Sequence, residues 1–135
     1  MLTLTMHRDA NADLECLFEE DPDAAAEIAV LIQEIAGSQE LLEALSIPHH
    51  IDDKIDVGLF VTLQKRRLNV WRLKAGYLEA AWAKYRLIYA FDGPKGAYHV
   101  LSIMHRGQNY ERDTTFIARL ERAYNDLGLP QLPRY

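Results

Sequence analysis

Apolar and polar positions alternate or recur along this chain in segments short enough to assign one by one. Leu2 to His7, LTLTMH, alternates with β-branched content and predicts a short strand, followed by an acidic connector. In DPDAAAEIAVLIQEIAG, Ile28, Leu31, Ile32 and Ile35 recur at helical spacing. Asp21 is placed to cap that helix, Pro22 suits its first position and Gly37 ends it. A shorter helix follows from Ser38 or Gln39 to Leu45, with Leu41, Leu42 and Leu45 on one side and Pro48 beyond its end. The next stretch, HHIDDKIDVGLFVTLQKRR, fits neither period and is interrupted by Gly58, so its structure stays open.

The second half is strand-rich. NVWRLKAG, Asn69 to Gly76, alternates so that Val70, Arg72 and Lys74 face one way and Trp71 and Leu73 the other. After the connector YLEAAWAK comes a hairpin, YRLIYAFD and AYHVLSIMH around the turn DGPKG. Tyr85, Leu87, Tyr89 and Phe91 share one of its faces; Ile88, Ala90, Val100 and Met104 are assigned to the other, which predicts central strands covered on both sides. DTTFIARLERAYNDLGLP then predicts a helix capped near Asp113 or Thr114, with Ile117, Leu120, Tyr124 and Leu127 inward and Gly128 and Pro130 ending it. The order strand, helix, helix, three strands, helix implies an α+β domain spanning residues 1–135: a small, largely antiparallel sheet with an N-terminal helical hairpin and a C-terminal helix.

Composition agrees with one folded domain, because 49% of the 135 residues are apolar. No run approaches the roughly 18 apolar residues of a membrane span. The N-terminal MLTLTMHRDANADLE lacks a cationic start and a long apolar core, so no membrane association and a cytoplasmic location are expected. Cys16 stands alone, which excludes an intramolecular disulfide or a cysteine-based zinc site and suggests a small buried or half-buried residue.

Charge changes the picture. The net charge is −5, yet residues 1–60 carry 14 Asp and Glu against two cations, while residues 61–135 carry six acids against 13 Lys and Arg. Halves of −12 and +7 suggest an acidic face beside a basic one that attracts a polyanion, although a solvated acidic helical half accounts for the asymmetry equally well. Within the hairpin, Arg86 and Arg106 both lie near the end opposite the turn, about 10 Å apart at most along the strands. If the strand of Arg72 and Lys74 runs antiparallel beside Tyr85 to Phe91, four cations converge there with Tyr110 just beyond. The plainer expectation is that these cations are solvated or paired with the many acids of the first half.

Other candidates are weaker. His49, His50, Asp52 and Asp53 are too closely spaced to complete a metal site, and no metal or cofactor is expected. Trp71, Trp82, Tyr85 and Tyr89 could stack bases, but at strand spacing they are first of all core residues. Lys65, Arg66 and Arg67 could touch RNA or simply line a solvated edge, and His105 is a second candidate acid or base.

The segments VWRLKAG, YRLIYAFD and VLSIMHRGQNYE, between Asn69 and Tyr110, together resemble the RelE/ParE superfamily of bacterial type II toxins, whose RelE branch contains messenger-RNA endonucleases acting at the ribosome. The order of elements is similar to that family's fold. The resemblance implies that Arg72 and Lys74 occupy basic strand positions that assist catalysis. It assigns Arg86 to the arginine of the YR motif, Arg106 to the arginine after the last sheet strand, and Tyr110 to the aromatic residue that follows. It further implies a metal-independent endoribonuclease neutralised by a cognate antitoxin, in which arginines hold the phosphate and lysine or tyrosine moves protons. A ParE-like protein-binding toxin acting on DNA gyrase, or a non-toxic interaction domain of the same fold, is the alternative. The chain departs from the family in its acidity, in the absence of an alignable motif before Asn69, and in the long 75–84 connector, which could cover the site or only extend an edge.

Overall fold

A computed structural model describes residues 1–133. Five strands form one sheet in the order β1-β5-β4-β3-β2, where β1 is Thr3–Met6, β2 Ile55–Leu59, β3 Val70–Ala75, β4 Tyr85–Asp92 and β5 Ala97–His105. Only the β1–β5 pair is parallel; the other three are antiparallel. Helices α1 (Arg8–Glu20), α2 (Pro22–Ala36) and α3 (Gln39–Ala44) accompany one face, and α4 (Val61–Lys65) and α5 (Thr114–Asp126) the other. Among the described residues, no helix is long and apolar enough to cross a membrane.

Each layer has its own core. Ile28, Leu31 and Ile35 of α2 and Leu42 of α3 pack on Trp71, Leu73, Leu87 and Tyr89, while Phe116, Ile117, Leu120 and Tyr124 of α5 pack on Val70, Ile88, Ala90 and Leu101. The α+β class and the inward faces of β3 and β4 therefore stand as the alternation implied. The expected caps are in place too: Asp21 accepts the N–H of Ala24 at 3.3 Å, Ser38 that of Leu41 at 3.2 Å and Asp113 that of Phe116 at 3.1 Å. Past α5, Gly128 takes a φ of 67° that closes the helix.

Three expectations are corrected and one open stretch is resolved. The acidic connector is helix α1, because Ala10, Leu14 and Leu17 give it a narrow apolar stripe and His7 caps it by accepting the N–H of Asp9 at 3.1 Å. The open 49–67 stretch holds both edge strand β2 and the one-turn α4; a change of element within twelve residues is why neither period fitted. Val100 shares the α2 face with Tyr89 rather than the face of Met104, because β5 carries one extra residue where Ile88 pairs with Ser102 and Tyr89 with Val100. Cys16 is exposed, its neighbour Leu17 taking the buried position on α1.

One half-buried carboxylate ties the layers together. β1 pairs only with Ala97–Val100, so the outer edge of β5 is unpaired beyond that point. There Asp13 of α1 accepts hydrogen bonds from the backbone N–H of Ile103 (3.0 Å), the hydroxyl of Ser102 (2.8 Å) and Arg119 Nη2 of α5 (3.0 Å).

Candidate functional site

Alternation along β3 sends Arg72 and Lys74 to the α5 face, at the sheet end away from the hairpin turn. β4 adds Arg86, paired with Met104 of β5, and the chain leaves β5 directly into Arg106. Four cations thus reach one patch, three half-buried and Arg106 exposed. Mutual proximity registers in the acid–base behaviour of Lys74 and Arg86. Burial first, then the charges of Arg72 and Arg86, hold the Lys74 ammonium below the ordinary lysine value, with Asp56 opposing them. Burial likewise lowers Arg86, which also feels Tyr110, Arg72 and Arg106.

Of the four cations, expected to be solvated or paired with acids of the first half, one is paired. Arg72, 18% exposed, reaches across β2 to Asp56, with Nη1 3.2 Å from Oδ1 and 3.1 Å from the backbone oxygen. Gly58 makes that reach possible: it pairs with Arg72, and a Cβ there would stand 2.5 Å from the guanidinium. Asp56 is the register partner of Lys74, yet its carboxylate is spent on Arg72. Among the described residues, no carboxylate lies at ion-pair distance from Lys74, Arg86 or Arg106. Arg86 Nη1 is instead held by the carbonyls of Tyr85 (2.9 Å) and Ala83 (3.2 Å), and the N–H of Arg106 donates to Lys84 O at 2.7 Å.

Tyr110 closes one side, its ring tilted 54° to Phe60 at 5.2 Å. Its neighbour Glu111 anchors the loop that carries both Tyr110 and Arg106. The two carboxylate oxygens of Glu111 accept the N–H groups of Val61 (3.1 Å) and Thr62 (2.9 Å), capping α4, which has no cap of its own. Glu111→Ala is expected to cost about 1–2 kcal/mol of stability and to raise amide exchange across 106–113 more than in the sheet, measurable by hydrogen–deuterium exchange. Unchanged protection there would show that the loop is held by other contacts.

The remaining candidates lie elsewhere. Lys65, Arg66 and Arg67 lie at the C-terminal end of α4, at the opposite end of β3; Arg66 pairs with Glu121, Arg67 Nε donates to Leu132 O at 2.8 Å, and Lys65 is exposed. His105 points to the other face, edge-on to Tyr85, and its Nδ1 accepts the N–H of Gly107 at 2.9 Å. Trp71, Trp82 and Tyr89 are core, and the half-buried Tyr85 donates its hydroxyl to Asp21 Oδ2 at 3.0 Å. His50 bonds Asp52 at 2.7 Å in the turn before β2. The 75–84 connector packs through Trp82 on α2, where Glu27 accepts the Trp82 N–H at 3.1 Å, so it leaves the cationic patch uncovered.

Asp56, Phe60 and Glu111 were not singled out by the sequence, and Gly58 was read only as an interruption. Asp56 and Gly58 do share a strand face two residues apart, but only the register against β3 shows that this face meets Arg72 and Lys74. The patch combines cations without carboxylate partners, a lysine held below its ordinary value and an aromatic ring, a set that can hold a phosphate and exchange a proton beside it. Neither a scan against protein-family profiles nor a search of curated protein sequences returns a match for this chain.

Proposed function

We propose that this protein is a metal-independent endoribonuclease of the RelE type, the toxin of a type II toxin–antitoxin pair. The observation that carries the reading is Lys74, its ammonium lowered by burial between Arg72 and Arg86 on an open face that also presents Arg106 and Tyr110. Neutral Lys74 takes the proton of a ribose 2′-hydroxyl, whose oxygen attacks the adjacent phosphorus and expels the 5′-oxygen. Arg86 and Arg106 hold the non-bridging oxygens, where charge grows in the pentacoordinate state. Arg72, fixed by Asp56, adds positive potential without being free to wrap the phosphate. Tyr110 stacks on a base or protonates the leaving oxygen. Messenger RNA on the ribosome is the substrate, the cytoplasm is the place of action, and a cognate antitoxin covers the cationic face between episodes of activity. The likeness of VWRLKAG, YRLIYAFD and VLSIMHRGQNYE to that family supports the same reading.

Controlled bacterial expression of the wild type, Arg86→Ala and Arg106→Ala, with messenger-RNA cut sites mapped in the same cultures, tests this. Growth arrest with new cuts, both lost in the variants while folded protein persists, is the expected result. Arrest without cuts would shift the assignment to a protein target such as DNA gyrase. Absence of arrest in a host lacking any antitoxin would sink the toxin reading.

A further inference from the structure

The other face of the sheet carries a concave surface, independent of the nuclease reading. Lys74 points to the cationic patch, so its neighbour Ala75 points the opposite way, into an open groove of about 650 Å³ between α2 and the 75–84 connector. Leu31, Ala75 and Trp82 form an apolar lining, and Val30 and Tyr77 stand at its lips 53% and 55% exposed. Leu78, next along the connector, is 81% exposed. Apolar side chains gathered around a concave surface mark an interaction site more often than scattered ones do.

The rim decides what fits. Glu27, Glu34, Asp53 and Glu79 place four carboxylates around the apolar lining, and the one cation among them, Lys54, is already bonded to Glu34 at 2.7 Å. That field repels RNA and acidic peptides and favours a cationic partner. Helix α2 uses its own backbone amides, and in the short 3-10 turn at Ala81–Lys84 the backbone N–H of Trp82 donates to Glu27 and that of Ala83 to Ala80 O, so these two walls offer no strand edge to build on. Recognition must then come from side chains entering the groove.

We propose that this groove docks an amphipathic helix of a partner protein, with apolar anchors at i, i+3 or i+4, and i+7 over Leu31 and Trp82 and with Lys or Arg flanking them against Glu27, Glu34, Asp53 and Glu79. The partner binds opposite the cationic patch and leaves that patch accessible.

A displayed library of helical peptides, selected on the intact folded protein, provides the test. The enriched sequences are expected to be cationic and to carry that apolar spacing. Val30→Glu, and separately Asp53→Lys combined with Glu79→Lys, are expected to weaken a selected peptide at least about tenfold. Circular dichroism should show these variants folded, and Arg106→Ala on the opposite face should bind as the wild type does. No enrichment, enrichment of acidic sequences, or binding indifferent to the groove variants would overturn the proposal. Self-association by sedimentation that Val30→Glu abolishes would also overturn it, assigning the groove to a second copy of this chain.

Discussion

On the proposed nuclease reading, Lys74→Met is expected to slow cleavage of ribosome-bound messenger RNA by about 10²–10⁴-fold, the usual contribution of a positioned general base, while the methionine keeps the half-buried stem in place. A Met variant cleaving at the wild-type rate would remove Lys74 from the chemistry. The pH profile supplies a sharper readout. Lys74 is lowered by burial and then by Arg72 and Arg86, so its neutral form becomes available at lower pH than for a free lysine. Arg72→Ala removes one repelling charge and also frees Asp56 to stabilise the ammonium, and both effects raise the lysine's pKa. The limb on which the rate rises with pH should therefore move to higher pH in Arg72→Ala. A limb that stays in place would mean another group is the base.

Asp13→Ala is expected to have the largest effect on stability. Three donors lose their acceptor at once: the fully buried Ser102 hydroxyl, the Ile103 N–H and the Arg119 guanidinium. Arg119 keeps a longer contact to Asp9, 3.6 Å from its Nε, which limits the loss. A cost of about 2–4 kcal/mol follows, or a fall in melting temperature on the order of 10 °C, measurable by calorimetry and urea unfolding. Asp13→Asn should fall between, because the amide oxygen still accepts from one donor. The alanine variant also bares part of the β5 edge, so increased association at high concentration is expected with it. A melting temperature within a degree or two of the wild type would show that water replaces the carboxylate at little cost.

What could be read from the sequence followed the length and regularity of each pattern. α2 and α5 carried complete apolar stripes with capping residues at Asp21 and Asp113, and β3 and β4 alternated without a break, so their faces were legible and so was the cationic row. Helix α1 was not, because two of its three stripe positions, Ala10 and Leu14, are small or only partly buried and the surrounding acids read as loop. The misplacement of Val100 has a single cause, one inserted residue in β5 that reverses the parity of every position before it. In the site, the cations were visible because alternation alone sets their direction. Their partners were not: Asp56 and Gly58 depend on the pairing of β2 with β3, and Glu111 acts on a helix 49 residues earlier in the chain. Such long-range pairings leave no local signal.

The layered arrangement bears on how net charge should be understood for this molecule. The acidic helices α1, α2 and α3 lie on one side of the sheet and the four cations on the other. A helical layer alone is about 10 Å across, longer than the screening length of about 8 Å at physiological ionic strength. Salt ions therefore largely hide each surface from the other, and a nucleic acid approaching the β3–β4 side meets a locally basic protein although the whole carries −5. In dilute buffer the screening cloud widens, and the acidic layer then offsets part of the attraction that the β3–β4 side exerts.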